Sequence, residues 1–402
     1  MYVEREIKER FHKVSEHYKM VAVVGARQSG KTTFLKHQMT PEDSSYVLFD
    51  DPDARAMFEE DIKKFEIQFV KGFDLSVLDE VHYCEEAGRK LKYLVDTGHD
   101  LWITSSSEII LSRDILSYLV GRVSVIKLYP FSYKEFVRAK DQKATTPEII
   151  KRNVWEHMRF GGYPRVVLTQ DTEMKKIILG DLYDTMLLKD LARTFSINDI
   201  DSLEKCAKYL ASISSEILTY NKMTSNINIS FQTLKRYLDA MEKSYLIKRI
   251  PPYHTNKRKE LTKRPKVYFV DTGLRNKILN EFDLEPDGEL FENYVFSELL
   301  KKGYDIKYWR SKSKAEVDFV LEADSGEVIP IEVKIRASKQ KVSKSLRSFI
   351  NEYEPEIAIY VTYKGEKGET KVDGCRVIYT DVVEVHEYLG GEVPNERGDE
   401  YV

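Results

Sequence analysis

Short apolar runs punctuate this chain at regular intervals. After a charged opening stretch comes Met20-Val21-Ala22-Val23-Val24, and similar runs follow at Tyr46 to Phe49, Leu75 to Leu78, Leu101 to Thr104 and Val123 to Leu128. Between them lie segments with helical spacing: Pro52 to Lys63, Glu85 to Asp96 and Glu108 to Tyr118. Continuous apolar strands alternating with helices predict a parallel sheet covered on both faces, an α/β unit over residues 1–130. From Phe131 to Asp199 the spacing is mainly helical, broken by Phe160-Gly161-Gly162-Tyr163-Pro164, and predicts a helical lid or connector over 131–200. Ser230 predicts an N-cap for a helix whose apolar residues Leu234, Tyr237, Leu238 and Met241 recur at i, i+3, i+4 and i+7. The strand-like Tyr245 to Ile250 and the segment Tyr253 to Lys266 then supply the wing of a winged-helix unit over 201–275. Strand-like Val317 to Leu321 and Ile329 to Ile335 place a further α/β unit over 276–402.

The first apolar run leads into Gly25-Ala26-Arg27-Gln28-Ser29-Gly30-Lys31-Thr32, a complete G-x-x-x-x-G-K-[ST] loop followed by a helical pattern that includes Thr33. A strand before the loop and a helix after it are the context a nucleotide phosphate site requires. Glycines let backbone N–H groups turn around the β- and γ-phosphates, and the helix N-terminus adds partial positive charge. Lys31 is the candidate for neutralising phosphate charge, and the Thr32 hydroxyl for binding Mg²⁺. The run Leu75-Ser76-Val77-Leu78 ends in Asp79-Glu80, at the strand end where open α/β sheets place ligands. Asp79 is expected in the Mg²⁺ shell and Glu80 beside the attacking water. Ser105, after the next strand, is a candidate γ-phosphate sensor. Arg122 is either an arginine finger, which in trans requires an oligomer, or an ion-paired surface residue.

Composition narrows the setting. At 402 residues the chain exceeds a single hydrophobic core. Its 63 Lys and Arg nearly balance 66 Asp and Glu, so any nucleic-acid surface is local. Three scattered cysteines, Cys84, Cys206 and Cys375, give neither a disulfide framework nor a C-x-x-C metal site. No run approaches the roughly 18 apolar residues of a membrane helix, and Met1 to Lys13 is too charged for a signal peptide. A cytoplasmic protein without a membrane partner is expected.

Two stretches are locally basic. Lys248 to Arg275 holds nine Lys or Arg against two acidic residues, and Lys334 to Arg347 holds six basic residues and no acidic one. Both predict phosphate contacts, with DNA favoured over RNA; a winged helix used for protein contacts is the competing reading. Near the second stretch, Ile331-Glu332-Val333-Lys334 places Glu332 and Lys334 on one strand face, and Asp318 joins them if the two strands pair. Glu292 lies on the apolar face of a helix, a costly position unless a metal or donor satisfies it. Asp318, Glu332 and Glu292 are candidate Mg²⁺ ligands, with Lys334 activating water against a phosphodiester.

Taken in order, Gly25 to Thr33, Leu78-Asp79-Glu80, Thr104-Ser105-Ser106, Gly121-Arg122, Gly161-Gly162-Tyr163-Pro164, Thr233 to Leu238, Phe291-Glu292-Asn293, Glu316 to Phe319 and Ile331 to Lys334 resemble a prokaryotic family of AAA-type ATPases. The C-terminal half of that family is a domain of unknown function ending in a restriction-endonuclease-like, PD-(D/E)xK module. The resemblance implies a P-loop NTPase core, a helical and winged-helix middle and a nuclease-like C-terminal α/β domain, with ATP and Mg²⁺ as cofactors. Ser105 stands where that family usually carries Gly. Two functions remain in view: an ATPase coupled to a nucleic-acid-binding, Mg-dependent nuclease, or an ATP-gated interaction switch with a non-catalytic nuclease-like docking domain.

Overall fold

A computed structural model describes residues 1–106, 116–141, 146–256, 260, 263–282, 285–323, 326–337 and 341–389, apart from the side chains of Leu116, Leu188, Lys189, Asp190 and Arg193. Most of the helix expected over Glu108 to Tyr118 lies outside the described residues; its last residues, Leu116–Tyr118, form a 3₁₀ turn.

The early apolar runs become β1 (Met20–Val24), β2 (Ser44–Leu48), β3 (Leu75–Asp79), β4 (Leu101–Ser105) and β5 (Val123–Lys127). They form one parallel sheet in the order β2-β3-β4-β1-β5. Period two splits β1 between two cores. Val21 and Val23 pack with Phe11, Phe34 and Leu35 on one face. Met20, Ala22 and Val24 face a cluster that runs on into the helical middle through Leu179, Leu203, Leu234 and Leu238. The sheet and the helices after it therefore share one core, so the helical region is not a detached lid.

The expected helical stretch is built from Tyr133–Ala139, Pro147–Phe160, Pro164–Leu168 and Thr172–Thr185, the last continuing into a π-helical segment, Met186–Arg193. Its glycine break has a steric cause. Gly161 sits at φ +74°, and a Cβ there would lie 2.0 Å from Oδ1 of Asp271. The Gly162 N–H donates to Oδ2 of the same aspartate at 2.7 Å. Three helices follow, Ile200–Ser212, Tyr220–Ile227 and Phe231–Lys243, the last capped by Ser230, whose hydroxyl accepts from the Thr233 N–H. The helix Tyr220–Ile227 before it is ended by Asn228 in the left-handed region.

The antiparallel pair β6 (Ile247–Ile250) and β7 (Lys266–Phe269) comes next, but the chain between them is not a free wing. Pro252 bridges to Tyr308, and the Tyr253 N–H donates to the Tyr308 carbonyl. Tyr308 lies in β8 (Ile306–Arg310), at the edge of a second sheet with β9 (Glu316–Glu322), β10 (Val328–Lys334), β11 (Ile357–Thr362), β12 (Gly368–Val372) and β13 (Cys375–Thr380). That sheet runs β12-β13-β11-β10-β9-β8; β10, β11 and β13 are mutually parallel and the other pairings antiparallel. The helix Gly288–Lys301 covers one face through Phe291, Tyr294 and Leu299, and Lys344–Tyr353 covers the other through Leu346, Phe349 and Ile350. All three cysteines are buried and unpaired, and no helix among the described residues is long and apolar enough to cross a membrane.

Candidate nucleotide site and a second carboxylate cluster

Parallel register brings the C-terminal ends of β1, β3 and β4 together, with β4 between the other two. The loop after β1 is shaped by its glycines. A Cβ on Gly25 would lie 2.1 Å from the Leu128 carbonyl oxygen, and Gly30, at φ +99°, caps the helix Lys31–Gln38 from the left-handed region. Gln28 also has positive φ, at 59°, and is exposed, as is Thr33; Ala26 and Ser29 are buried and Arg27 half-buried. The Ser29 hydroxyl is buried without a hydrogen-bond partner. Lys31 is 4 % exposed and turns inward, its Nζ donating to the carbonyls of Gly25 and Ala26 at 3.0 and 3.1 Å. A cradle that admits only glycine at its ends, with a lysine and a helix N-terminus aimed inside, is complementary to an anion.

Asp79, buried at the tip of β3, collects three hydroxyls. Thr32 Oγ1 donates to its Oδ2 at 2.7 Å, Tyr46 OH to the same oxygen at 2.6 Å, and Thr104 Oγ1 to Oδ1. Burial, then the bond to Asp79, drives the Tyr46 phenol well above its ordinary range, so it stays a donor. Thr104 also accepts from the Glu80 N–H at 2.9 Å, so one hydroxyl fixes two consecutive acidic residues. Glu80 itself occupies the left-handed region, φ 59° and ψ 45°, a strained setting for a non-glycine residue that surrounding structure must hold. Its Oε2 faces His82 Nδ1 at 3.1 Å, an ion-pair contact without hydrogen-bond alignment. Burial alone would raise the Glu80 carboxyl; His82 and the charges of Lys31 and Arg27 outweigh it and hold the group at about 2.

Ser105 is buried beside Val24, next to the phosphate loop, but the contact with Asp79 is made by Thr104. Tyr46, His82 and Thr104 are site residues that sequence reasoning did not single out. Only the pairing β2–β3–β4, which no local window shows, brings them together. Of the two readings of Arg122, the structure shows the ion-paired surface residue, which corrects its reading as a catalytic finger in its own chain. It precedes β5, whose register pairs Val123 with Met20, so it sits at the end of the sheet opposite the phosphate loop. There its Nε meets Asp96 Oδ1 at 2.6 Å on the surface. It is not a finger for the site of its own chain.

The second cluster assembles in part. β9 and β10 pair antiparallel with Phe319 opposite Ile331, which sets Asp318 beside Glu332. Lys334 Nζ lies 3.2 Å from Glu332 Oε1 and 3.7 Å from Asp318 Oδ2. The Val333 N–H donates to Asp318 at 2.8 Å and Ser343 Oγ to Glu332 at 2.6 Å. Burial pushes the Glu332 carboxyl up, partly offset by Lys334; Lys334 is raised, the two carboxylates outweighing its desolvation.

Glu292, expected as a metal ligand, is instead engaged by protein donors. Its Oε1 accepts from Tyr268 OH at 2.6 Å and Lys266 Nζ at 3.1 Å, and Lys266 also reaches Glu316 at 2.7 Å. Lys266 is 2 % exposed and remains charged between two carboxylates, while burial and the neighbouring Asp318 push Glu292 up to about 7. Among the described residues, no group of three or more His, Cys, Asp or Glu is placed to hold a metal.

Four of the nine basic residues in the stretch Lys248 to Arg275 are paired with acidic residues from outside its own window, while Lys263 and Arg264 are exposed. Arg249 pairs with Glu242 and Asp239, Lys248 with Glu242, Lys266 with Glu292 and Glu316, and Arg275 with Glu281. Residues 257–259 and 261–262 of that stretch lie outside the described residues. Around the second cluster the basic residues are exposed: Lys312, Lys314, Arg336, Lys341, Lys344 and Arg347.

Three family models match. Residues 17–137 match an AAA domain, residues 151–285 a domain of unknown function (DUF8612) and residues 287–383 another (DUF4143). An uncharacterized protein of Haemophilus influenzae is 28 % identical over 309 residues, 75 % of each chain. One of Mycobacterium tuberculosis is 24 % identical over 376 residues, 90 % of this chain and 80 % of the other. Among solved structures, the Walker-type ATPase of Pyrococcus abyssi is 15 % identical with a TM-score of 0.41, covering 69 % of this chain and 96 % of that one. Domain III of the Thermotoga maritima replication initiation protein DnaA is 18 % identical with a TM-score of 0.31, covering 47 % and 88 %. Residues 17–137 are thus similar to P-loop ATPase domains of the AAA type.

Proposed function

We propose that the chain hydrolyses ATP at the phosphate loop and uses the cycle to govern its C-terminal half. The observation that carries this is the Asp79 knot: one buried carboxylate joined to the Thr32 hydroxyl and, through Thr104, to a strained Glu80. Lys31 would balance phosphate charge, and the Ser29-to-Thr32 turn would present backbone N–H groups to the β-phosphate. Thr32 and Asp79 offer hard oxygens suited to Mg²⁺, which when bound would neutralise charge between the β- and γ-phosphates. Glu80 orients the attacking water; a carboxyl held near 2 stays ionised through the physiological range. Glu80→Gln should keep nucleotide affinity and lower turnover by about 10²–10⁴-fold. In the wild type kcat should show no acidic limb from Glu80 between pH 5 and pH 8. Unchanged turnover in the variant removes Glu80 from this role.

For the C-terminal half we propose a phosphodiester-directed site formed by Asp318, Glu332 and Lys334. Its support is the convergence of Lys334 on both carboxylates inside a rim of exposed basic residues. A helix on each face of a sheet that turns from antiparallel to parallel at β10 also fits the restriction-endonuclease-like resemblance. Asp318, Glu332 and the Val333 carbonyl would hold the Mg²⁺, and Lys334 would position water. A second reading, a docking domain without cleavage, is favoured by one observation: Lys266 already satisfies Glu292. Assaying DNA and RNA with Mg²⁺ or Mn²⁺, with Glu332→Gln and Lys334→Ala alongside, separates the two. Cleavage abolished by both substitutions supports the first; binding without cleavage in the wild type supports docking.

A further inference from the structure

Arg5 is a charged side chain only 5 % exposed, well outside the phosphate-loop motif. Its two terminal nitrogens donate to backbone carbonyls, and its Nε makes an ion-pair contact without hydrogen-bond alignment. Nη1 donates to the Ser29 carbonyl at 2.9 Å, Nη2 donates to the Tyr129 carbonyl at 2.6 Å, and Nε lies 3.0 Å from Glu135 Oε1. The plane also covers the Phe131 ring, 4.9 Å from its centroid. Glu135 is anchored in turn, closing a capping box with Ser132 at the start of the helix Tyr133–Ala139 and accepting from the Glu6 N–H at 2.7 Å.

Ser29 belongs to the phosphate loop, and the peptide that Arg5 grips joins Ser29 to Gly30. In a trans peptide the carbonyl and the following N–H point in opposite directions. Holding the Ser29 carbonyl outward therefore turns the Gly30 N–H away from Arg5. Lys31 marks the inner side of the loop, since its Nζ reaches back to the Gly25 and Ala26 carbonyls. A Cβ built on Gly30 would lie 3.4 Å from Arg5 Nη1 and 3.8 Å from Pro164, so Arg5 and Pro164 wall the outer side at the residue where the helix begins. Gly30 sits in the left-handed region, where the permissive glycine backbone does not by itself fix the orientation of that peptide. Arg5 supplies the missing constraint from outside.

We propose that Arg5 is a positioning residue of the nucleotide site: it sets the Ser29–Gly30 peptide so that the Gly30 N–H faces the β-phosphate. This rests on the phosphate-loop reading above. Because the contact bears on the β-phosphate, ATP and ADP should depend on it equally. Arg, not Lys, is required, since two separate nitrogens of one rigid planar fork hold the Ser29 and Tyr129 carbonyls while the third faces Glu135, a spread that a single ammonium nitrogen does not reproduce.

The test measures the affinity of fluorescent ATP and ADP analogues for the full chain carrying Arg5→Lys or Arg5→Met, at a temperature well below each variant's unfolding midpoint. The wild type and Lys31→Ala run alongside. Expected are a loss of about tenfold or more for both nucleotides in Arg5→Met, as a charge-assisted hydrogen bond supplies, and a smaller, equal loss for both in Arg5→Lys. A purely structural role would lower the unfolding midpoint and leave both affinities at the wild-type value, and that result in either folded variant overturns the proposal. If Arg5→Met does not fold, Arg5→Lys decides alone. A loss confined to ATP also refutes it. Failure of the wild type to bind either nucleotide, or binding untouched by Lys31→Ala, sinks the phosphate-loop reading instead.

Discussion

Replacing Thr104 with Val keeps the shape of a buried β-branched side chain and removes one hydroxyl. In this fold that hydroxyl both donates to Asp79 and accepts from the Glu80 N–H. The first bond ends on a carboxylate and carries about 1.5–3 kcal/mol; the second, between neutral groups, carries about 0.5–1.5 kcal/mol. Thr104→Val should therefore destabilise the chain by about 2–4 kcal/mol, read from urea unfolding. Its effect on catalysis should be larger than on binding. Glu80 is held in the left-handed region partly by that N–H contact, and a displacement of about 1 Å at a catalytic group costs on the order of 10² in rate. ADP affinity, which draws on Lys31 and the loop, should stay within about threefold. Thr104→Ser restores the hydroxyl and should recover most of the turnover. If Thr104→Val loses stability yet turns over ATP within threefold of the wild type, the hydroxyl serves the sheet alone and Glu80 is positioned by something else.

Arg122→Ala removes a surface pair with Asp96 whose side chains are both well exposed, so stability should fall by no more than about 1 kcal/mol and hydrolysis by the dilute chain should not change. A loss of activity that grows with protein concentration would place Arg122 in a neighbouring copy's site. His157 sets an acid limit. Burial first, then the Lys301 charge, hold its ring well below 6.5, with Nε2 against the Phe131 carbonyl and Nδ1 against Tyr294 OH. Because the unfolded ring takes up its proton first, this contribution is full above pH 6.5 and is lost below it by up to about 1.4 kcal/mol per pH unit. The buried acids Glu298 and Asp271, whose carboxyls are raised, act in the opposite sense, so the comparison to make is with His157→Gln. That variant should unfold at lower pH than the wild type in a melting-temperature series from pH 7 to pH 4; coincident curves would remove His157 as the limit.

The nucleotide loop was legible because its information is local: glycine spacing, one lysine, one hydroxyl and the apolar run before them. Asp79 and Glu80 were legible because strand ends are where ligands sit. Thr104 and Tyr46 were not, since only strand register brings their hydroxyls to Asp79. For Arg122 the sequence left a finger and an ion-paired surface residue open, because chain position does not say which end of a strand a residue flanks; the structure shows the ion pair. Charge counting within Lys248 to Arg275 missed the pairing of Lys248, Arg249, Lys266 and Arg275, as Glu242, Asp239, Glu292, Glu316 and Glu281 come from other segments. Glu292 was correctly marked as needing a partner on its apolar face, and the partner is Lys266, which the same count had assigned to a phosphate surface.

What Arg5 and Glu6 hold arrives much later in the chain. The Tyr129 carbonyl follows Arg5 by 124 residues, and Lys302, which binds Glu6 at 2.5 Å, follows it by 296. At roughly 5–20 residues per second that last interval is about 15–60 s of synthesis. Through it the opening segment waits without its final anchor, and the loop beside it is made long before the contacts that set it. A growing chain should thus complete the Arg5 contacts once Glu135 is made and gain the Glu6 anchor only with Lys302, an order written into the residues.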